Sequence, residues 1–225
     1  MKKYLKTPRT VRLAMLFAMI PVLFLEGCGQ QTECEKSIDT AMGTVVSQTV
    51  YVTGNSTTAT NGKTDDKVTD VVLQKLNDLE QQELSWRLDS AEVAQINAAA
   101  GKGQIQVSTA MAGWLERCLQ ISEQTGGAFD VSIGKLSRLW DIDTWAAADD
   151  PQDYELPGRE EIEQALALAG WQHMRLEQRT DSTAVSIPAG MQIDLGAVGK
   201  GVALDEIRKT LEEHPEVSGA VISVG

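Results

Sequence analysis

A glycine-rich turn near the end of the chain constrains the fold more than any other segment. It runs from Asp194 to Gly201 and reads DLGAVGKG, between an apolar stretch and a helical pattern. This pattern predicts that a strand ends at Asp194 and that a helix begins in the turn, which leaves unpaired backbone N–H groups at the positive end of a helix dipole. Such a point binds phosphate. Lys200 supplies a cation there, and Asp194 can accept a hydrogen bond from a ring N–H or a hydroxyl group.

The turn alone does not settle what is bound. Its spacing matches neither G-x-x-x-x-G-K-[ST] nor G-x-G-x-x-G, so a structural glycine turn with a solvated lysine stays open. Two other clusters are candidates for ligand contact, and a tryptophan beside an arginine in one of them suits a planar ring. Each cluster also has a structural alternative. In the segment GGAFDV, residues 126–131, a phenylalanine such as Phe129 is more often a core residue than a ligand contact, and Asp130 could cap the following helix. In LSWRLDS, residues 84–90, Trp86 stands beside an arginine, but the following Asp or Ser could be an N-cap.

Short strands and helices alternate along the chain without a regular βαβ pattern, which indicates the α+β class. Strands are predicted at residues 42–52, 174–177, 184–187, 191–195 and 219–224. Helices are predicted at residues 65–83, 90–99, 160–169 and 198–213, and another between a cap at Ser108 or Thr109 and Gly126. The acidic, proline-containing residues 141–157 are expected to form an exposed excursion.

The N-terminus is typical of an exported lipoprotein. A basic segment precedes an apolar one, Leu13 to Leu25, that is too short to span a bilayer comfortably. The following Leu-Glu-Gly-Cys resembles a bacterial lipobox, which predicts a signal peptide at 1–27 and acyl chains on Cys28. Residues 28–37 are then a tether, and residues 38–225 the domain, held at a membrane of the cell envelope and facing the periplasm or exterior. A plain signal peptide followed by an ordinary cysteine is the alternative.

The charge balance excludes one class of partner. The 225 residues hold 20 Lys and Arg against 32 Asp and Glu. Residues 1–27 contain five of these cations and one of the acids, so their removal leaves 15 against 31, a formal charge of −16. A nucleic-acid binder needs a basic footprint, so this class is excluded. A small anionic ligand would need local cations or a metal ion.

The remaining cysteines and histidines point to no further chemistry. Cys34 falls in the tether and Cys118 on the apolar stripe of a predicted helix, where it would pack as a small hydrophobe. A disulfide between them is compatible with export, but nothing requires it. The two histidines are isolated, and neither a zinc site nor a catalytic triad can be assembled from them.

Five separated motifs give a more specific indication when they are taken together and in order. They are Ala41–Thr44, Leu84–Ser90 with Asn97, Gly126–Val131 with Gly134 and Trp140, Asp194–Asp205, and Val221–Gly225. Together they resemble the ApbE family of bacterial, usually lipid-anchored FAD:protein FMN transferases. The resemblance runs from about residue 38 to the last residue. It implies a T-fold-related mixed sheet with packed helices.

The resemblance also implies an activity and a set of site residues. Family members bind FAD with Mg²⁺ and transfer FMN to a Thr or Ser hydroxyl of a partner protein, releasing AMP. Typical acceptors are flavin-carrying subunits of membrane electron-transport complexes. Carried over to this sequence, the FAD contacts are Met42, Trp86, Ala128, Phe129, Asp130, Asp194 and Lys200, and Ala197 would offer its carbonyl to the metal ion. No general base is implied.

The chain departs from the family in length. Members continue well past the last motif, into a part that carries the side-chain metal ligands. The resemblance therefore predicts a fold that is incomplete at the C-terminus, and a product that is inactive or poorly folded. A non-catalytic FAD-binding lipoprotein or an FAD-hydrolysing one is the alternative within the family. An acidic surface lipoprotein with a purely structural turn is the alternative outside it.

Overall fold

Residues 32–53, 67–147 and 154–225 are described by the computed structural model, and they form two small antiparallel sheets with packed helices. The strands are β1 (Thr32–Ala41), β2 (Thr44–Thr53), β3 (Ile105–Val107), β4 (Arg175–Gln178), β5 (Thr183–Ser186) and β6 (Val217–Val224). The helices are α1 (Val68–Asp78), α2 (Glu92–Ala98), α3 (Thr109–Gln124), α4 (Gly134–Trp140), α5 (Ile142–Ala147), α6 (Arg159–Leu166) and α7 (Gly196–Glu212). The first sheet has the strand order β1-β2-β6 and the second β3-β5-β4, all antiparallel. The predicted α+β class is confirmed.

One face of the first sheet packs against α1 and α7. In β2 the alternate residues Val46, Val50 and Val52 are buried, as expected for a strand with one face on the core. Leu76 of α1 and Ile207 of α7 are likewise buried in the main core. Burial of each such side chain contributes about 1.5–3 kcal/mol relative to exposure. This layer fixes the position of α7, whose first turn carries the candidate site.

Helix α3 forms as its sequence predicts. The Ser108 hydroxyl accepts a hydrogen bond from the Met111 N–H (3.0 Å), which is the N-cap geometry. Met111, Leu115 and Cys118 are buried along one stripe. Burial raises the pKa of the Cys118 thiol to about 11, so it stays protonated at neutral pH and packs as a hydrophobe. Both Cys118 and the exposed Cys34 are free thiols.

The predicted tether differs from the structure in its described part. Residues from Thr32 onward belong to β1, which pairs along its length with β2. Most β1 side chains are exposed or half-buried, so the strand lacks the apolar alternation that reveals a strand in sequence. It is held by backbone hydrogen bonds instead. Residues 28–31 and the predicted signal peptide lie outside the described residues.

The predicted strand at residues 191–195 is wrong. Within it only Gln192 forms a bridge, an isolated one with Ile133. The buried Asn97 side chain takes the place of a neighbouring strand: its Oδ1 accepts from the Ile193 N–H (2.7 Å), and its Nδ2 donates to the Ile193 carbonyl (2.9 Å). The apolar run therefore reflects burial in the core rather than membership of a sheet.

Two short helices lie next to each other where the predicted excursion begins: α4 ends just before it, and α5 forms its first part. Helix α4 begins at Gly134, where an added Cβ would lie 2.8 Å from the Gln192 carbonyl oxygen, so only glycine allows this approach. Helix α5 exposes Ile142 and Trp145, as expected of an exposed excursion. Residues 148–153 lie outside the described residues. Within the described residues, no helix combines the length and apolar character needed to cross a bilayer.

Candidate functional site

Three segments that are distant in sequence meet at a solvent-open cleft of about 120 Å³. They are the β1–β2 turn, the helical turn that follows α1 with the three residues after it, and the start of α7 with the two residues before it. The lining residues are Met42, Glu80, Leu84, Ser85, Trp86, Arg87, Asp194, Leu195, Gly196, Gly199 and Lys200. Of the seven residues predicted to contact the ligand, this cleft brings together Met42, Trp86, Asp194 and Lys200.

Met42 reaches the cleft through a strained turn. The two-residue β1–β2 connection has φ of 53° at Met42 and 69° at Gly43. Glycine adopts such an angle freely, whereas the positive φ of Met42 costs about 1–3 kcal/mol. The Met42 N–H donates to Glu80 Oε2 (2.8 Å), which stabilises this conformation. The methyl end of Met42 lies over Gly199 of α7. Met42 is therefore held as an apolar wall of the cleft.

The Glu80 contact was not predicted from the sequence. Glu80 lies in a π-helical turn, Leu79–Leu84, that continues α1, and such turns are often found at functional sites. The apolar spacing in this region predicts a helix. It does not predict which carboxylate of that helix accepts a hydrogen bond from Met42, 38 residues earlier in the chain. That meeting depends on how β1, β2 and α1 pack.

Trp86 forms the aromatic wall. The Arg87 guanidinium lies 4.0 Å from the centroid of the Trp86 ring and that of Arg138 lies 4.5 Å from it, both within the range of cation–π attraction. The proposed alternative for this segment, an Asp89 or Ser90 N-cap, is not observed: α2 has Ala91 at its N-cap position and no side-chain cap. The Ser90 hydroxyl instead donates to the Gln81 carbonyl.

Asp194 occupies part of the helix end that was expected to be free. Its Oδ1 accepts from the Gly196 N–H (2.7 Å), at the start of α7. A carboxylate at a helix N-terminus is favourable because it meets the positive end of the helix dipole. The Gly196 N–H is thus already paired, and Lys200 supplies a side-chain cation in the same turn.

Lys200 is an exposed cation in the first turns of α7. Within residues 32–53, 67–147 and 154–225, no Asp or Glu forms an ion pair with it. Its amine lies beside Gly225: a Cβ added at Gly225 would overlap both the Lys200 Nζ and the Thr44 hydroxyl. Thr44, Lys200 and Gly225, which come from three of the five motifs, therefore lie close together.

Ala128, Phe129 and Asp130 do not line this cleft. Ala128 is exposed, and the half-buried Phe129 packs against the core. Asp130 Oδ1 accepts from the backbone N–H and the hydroxyl of Ser132, and its Oδ2 accepts from the Trp171 N–H (3.2 Å). These bonds tie the loop after α3 to a distant turn. Asp130 does not cap α4, because α4 has no side-chain cap.

The residue that the resemblance assigns to Mg²⁺ is Ala197. Ala197 is exposed in the first turn of α7 and offers one backbone carbonyl. Mg²⁺ requires close to six oxygen ligands in octahedral geometry. Among the residues that the structure describes, no group of three or more Asp, Glu, His or Cys residues is placed to hold a metal ion.

Comparison with known proteins gives the family. The ApbE family profile matches residues 42–225. The chain belongs to the ApbE family. An FAD:protein FMN transferase of Treponema pallidum is 32% identical over 153 residues, which are 65% of this chain and 40% of the relative. The FAD:protein FMN transferase of Escherichia coli K12 is 26% identical over 217 residues, 95% of this chain and 59% of the relative.

Solved ApbE structures show the same fold. The ApbE protein of Thermotoga maritima superposes with a TM-score of 0.67 at 24% identity, over 86% of this chain and 57% of the other. The flavin transferase ApbE of Vibrio cholerae gives a TM-score of 0.68 at 21% identity, over 87% of this chain and 58% of the other. The predicted ApbE-like fold and family are thus confirmed. The chain spans 40–59% of the length of these relatives.

Proposed function

We propose that this chain binds FAD in the cleft between Met42, Trp86, Asp194 and Lys200, as part of an FAD:protein FMN transferase. The observation that carries the proposal is the Lys200 amine, a cation without an acidic partner among the described residues, in a cleft with an aromatic and a thioether wall. Those walls suit a flat ring system, and the amine suits a phosphate. The names of the relatives support the same ligand and reaction.

The proposed reaction is a transfer at phosphorus. A Thr or Ser hydroxyl oxygen of the acceptor forms a bond to the FMN phosphorus, the bond from that phosphorus to the bridging oxygen breaks, and AMP leaves with that oxygen. The hydroxyl proton passes to solvent or to a base of the acceptor complex. Catalysis of this kind depends mainly on positioning and on neutralising charge. Lys200 would hold the pyrophosphate and offset its charge, while Met42 and Trp86 would orient the ring.

Dependence on Mg²⁺ belongs to the proposal through the family resemblance. A bound Mg²⁺ would supply Lewis-acid and templating chemistry at the pyrophosphate. Ala197 is the residue of this chain that the resemblance assigns to it, and one carbonyl does not make a site. No step is therefore assigned to the metal ion.

An acceptor assay tests the proposed function. The full chain is incubated with FAD, Mg²⁺ and a flavin-accepting subunit of a membrane electron-transport complex, and the acceptor is examined for flavin fluorescence on a denaturing gel. A Thr→Ala acceptor is the negative control and the E. coli relative the positive control. Flavin on the acceptor supports transfer. AMP release without labelled acceptor favours an FAD-hydrolysing lipoprotein, FAD binding alone favours a binding lipoprotein, and absence of binding contradicts the proposal.

We also propose that Cys28 is acylated and anchors the domain to a membrane of the cell envelope, where its acceptors lie. Replacing Cys28 with alanine should abolish incorporation of tritiated palmitate in the bacterial host, because Cys28 is the residue that would carry the acyl chains. Replacing Cys34, which is exposed six residues later, provides the matched control and should leave labelling intact. Labelling that survives in the Cys28→Ala variant would contradict the anchor.

A further inference from the structure

Arg138 contacts Trp86 from outside the cleft. Besides lying 4.5 Å from the ring centroid, its guanidinium donates a hydrogen bond from Nη2 to the Trp86 backbone carbonyl (3.1 Å). One side chain therefore contacts both the ring and the backbone of the same residue. A residue held at both points has little freedom to turn its ring.

Helix α4, which carries Arg138, is itself anchored near the site. The Gly134 N–H donates to the Gln192 carbonyl (2.9 Å), two residues before Asp194. The Asp194 N–H in turn donates to the Val131 carbonyl (2.8 Å), just ahead of α4. Arg138 thus connects Trp86, on one wall of the cleft, to the backbone that positions Asp194 on the other.

We propose that Arg138 is a positioning residue that fixes the Trp86 ring as a wall of the cleft. Arginine suits this task better than lysine, because its planar guanidinium can lie over a ring and donate a directed hydrogen bond at once. The contact itself does not depend on the ligand. Its consequence for FAD rests on the proposed function.

The contact can be tested without ligand by ¹⁹F NMR of the full chain labelled with 5-fluorotryptophan. The Trp86 resonance is assigned by its absence in Trp86→Phe. It should shift and broaden in Arg138→Ala and shift less in Arg138→Lys, which keeps the cation. Arg159→Ala is the control, because Arg159 is an exposed arginine of α6 paired with Glu163, and it should leave the resonance unchanged. An unmoved Trp86 resonance in Arg138→Ala would overturn the proposal.

The same variants test the effect on the ligand by FAD titration. Loss of one cation–π contact and its hydrogen bond should raise the Kd for FAD roughly 3- to 10-fold in Arg138→Ala. In a Trp86→Ala background the same change should have no further effect, since Arg138 acts through the ring. Equal losses in both backgrounds would contradict positioning. If the wild type binds no FAD, the proposed function fails, and the Trp86 resonance still decides the role of Arg138.

Discussion

Replacing Lys200 with alanine should raise the Kd for FAD roughly 10- to 100-fold, the largest effect expected of any single change in the cleft. A hydrogen bond between charged groups contributes about 1.5–3 kcal/mol, and the loss of this one leaves a pyrophosphate beside the carboxylates of Glu80 and Asp194. Isothermal titration with FAD measures the change. Because much of the lost interaction is electrostatic, the wild-type affinity should also fall with added salt more steeply than that of the variant.

Two other variants make this result specific to the site. Lys209→Ala removes the same charge from the last turn of the same helix, where Lys209 pairs with Glu206, and should leave the Kd within about twofold. Lys200→Arg keeps the charge and should recover part of the affinity. If Lys200→Ala and Lys209→Ala bind FAD equally well, the assignment of Lys200 to the phosphates is wrong.

Replacing Asn97 with alanine should lower the free energy of unfolding by about 2–4 kcal/mol. The Asn97 amide makes both backbone hydrogen bonds of Ile193, a residue with no exposed surface, and Ile193 directly precedes Asp194. Without the amide, a buried N–H and a buried carbonyl lose their partners, and each such loss costs about 1–3 kcal/mol. Chemical denaturation followed by circular dichroism measures the difference.

The control for Asn97 lies on the same helix. Gln95 is exposed and makes one hydrogen bond, from Nε2 to the Ser90 carbonyl, so Gln95→Ala should change the free energy of unfolding by less than about 1 kcal/mol. Asn97→Asp keeps the acceptor but places a buried carboxylate oxygen against the Ile193 carbonyl, so it should destabilise the fold at least as much as Asn97→Ala. An Asn97→Ala variant as stable as Gln95→Ala would show that Ile193 finds other partners and that this side chain does not hold the segment.

Local features of the fold could be predicted from the sequence because their causes are local. The cap of α3 depends on Ser108 and on the N–H three residues later, and the buried stripe follows from helical spacing. Helices α1 and α7 lie largely within the helices that the sequence pattern predicts at residues 65–83 and 198–213. The motif order was enough to predict the family. Four of the seven residues that the resemblance assigns to FAD line one cleft, and their contact with FAD stays a prediction.

Features that depend on tertiary contacts could not be predicted. The segment before Asp194 has the composition of a strand, but the side chain of a residue 96 positions away makes its hydrogen bonds. Arg138 and Glu80 contact cleft residues 52 and 38 positions away, and no periodicity reveals such pairs. Strand β1 was missed for a related reason, since an edge strand held by its backbone needs no apolar pattern.

The most direct test of the central proposal is to locate bound FAD on the chain by hydrogen–deuterium exchange with and without saturating FAD. Binding in the cleft predicts slower exchange at residues 80–87 and 194–201, with α6 unchanged as an internal control. Slower exchange confined to other segments, or no change at any segment, would contradict the account.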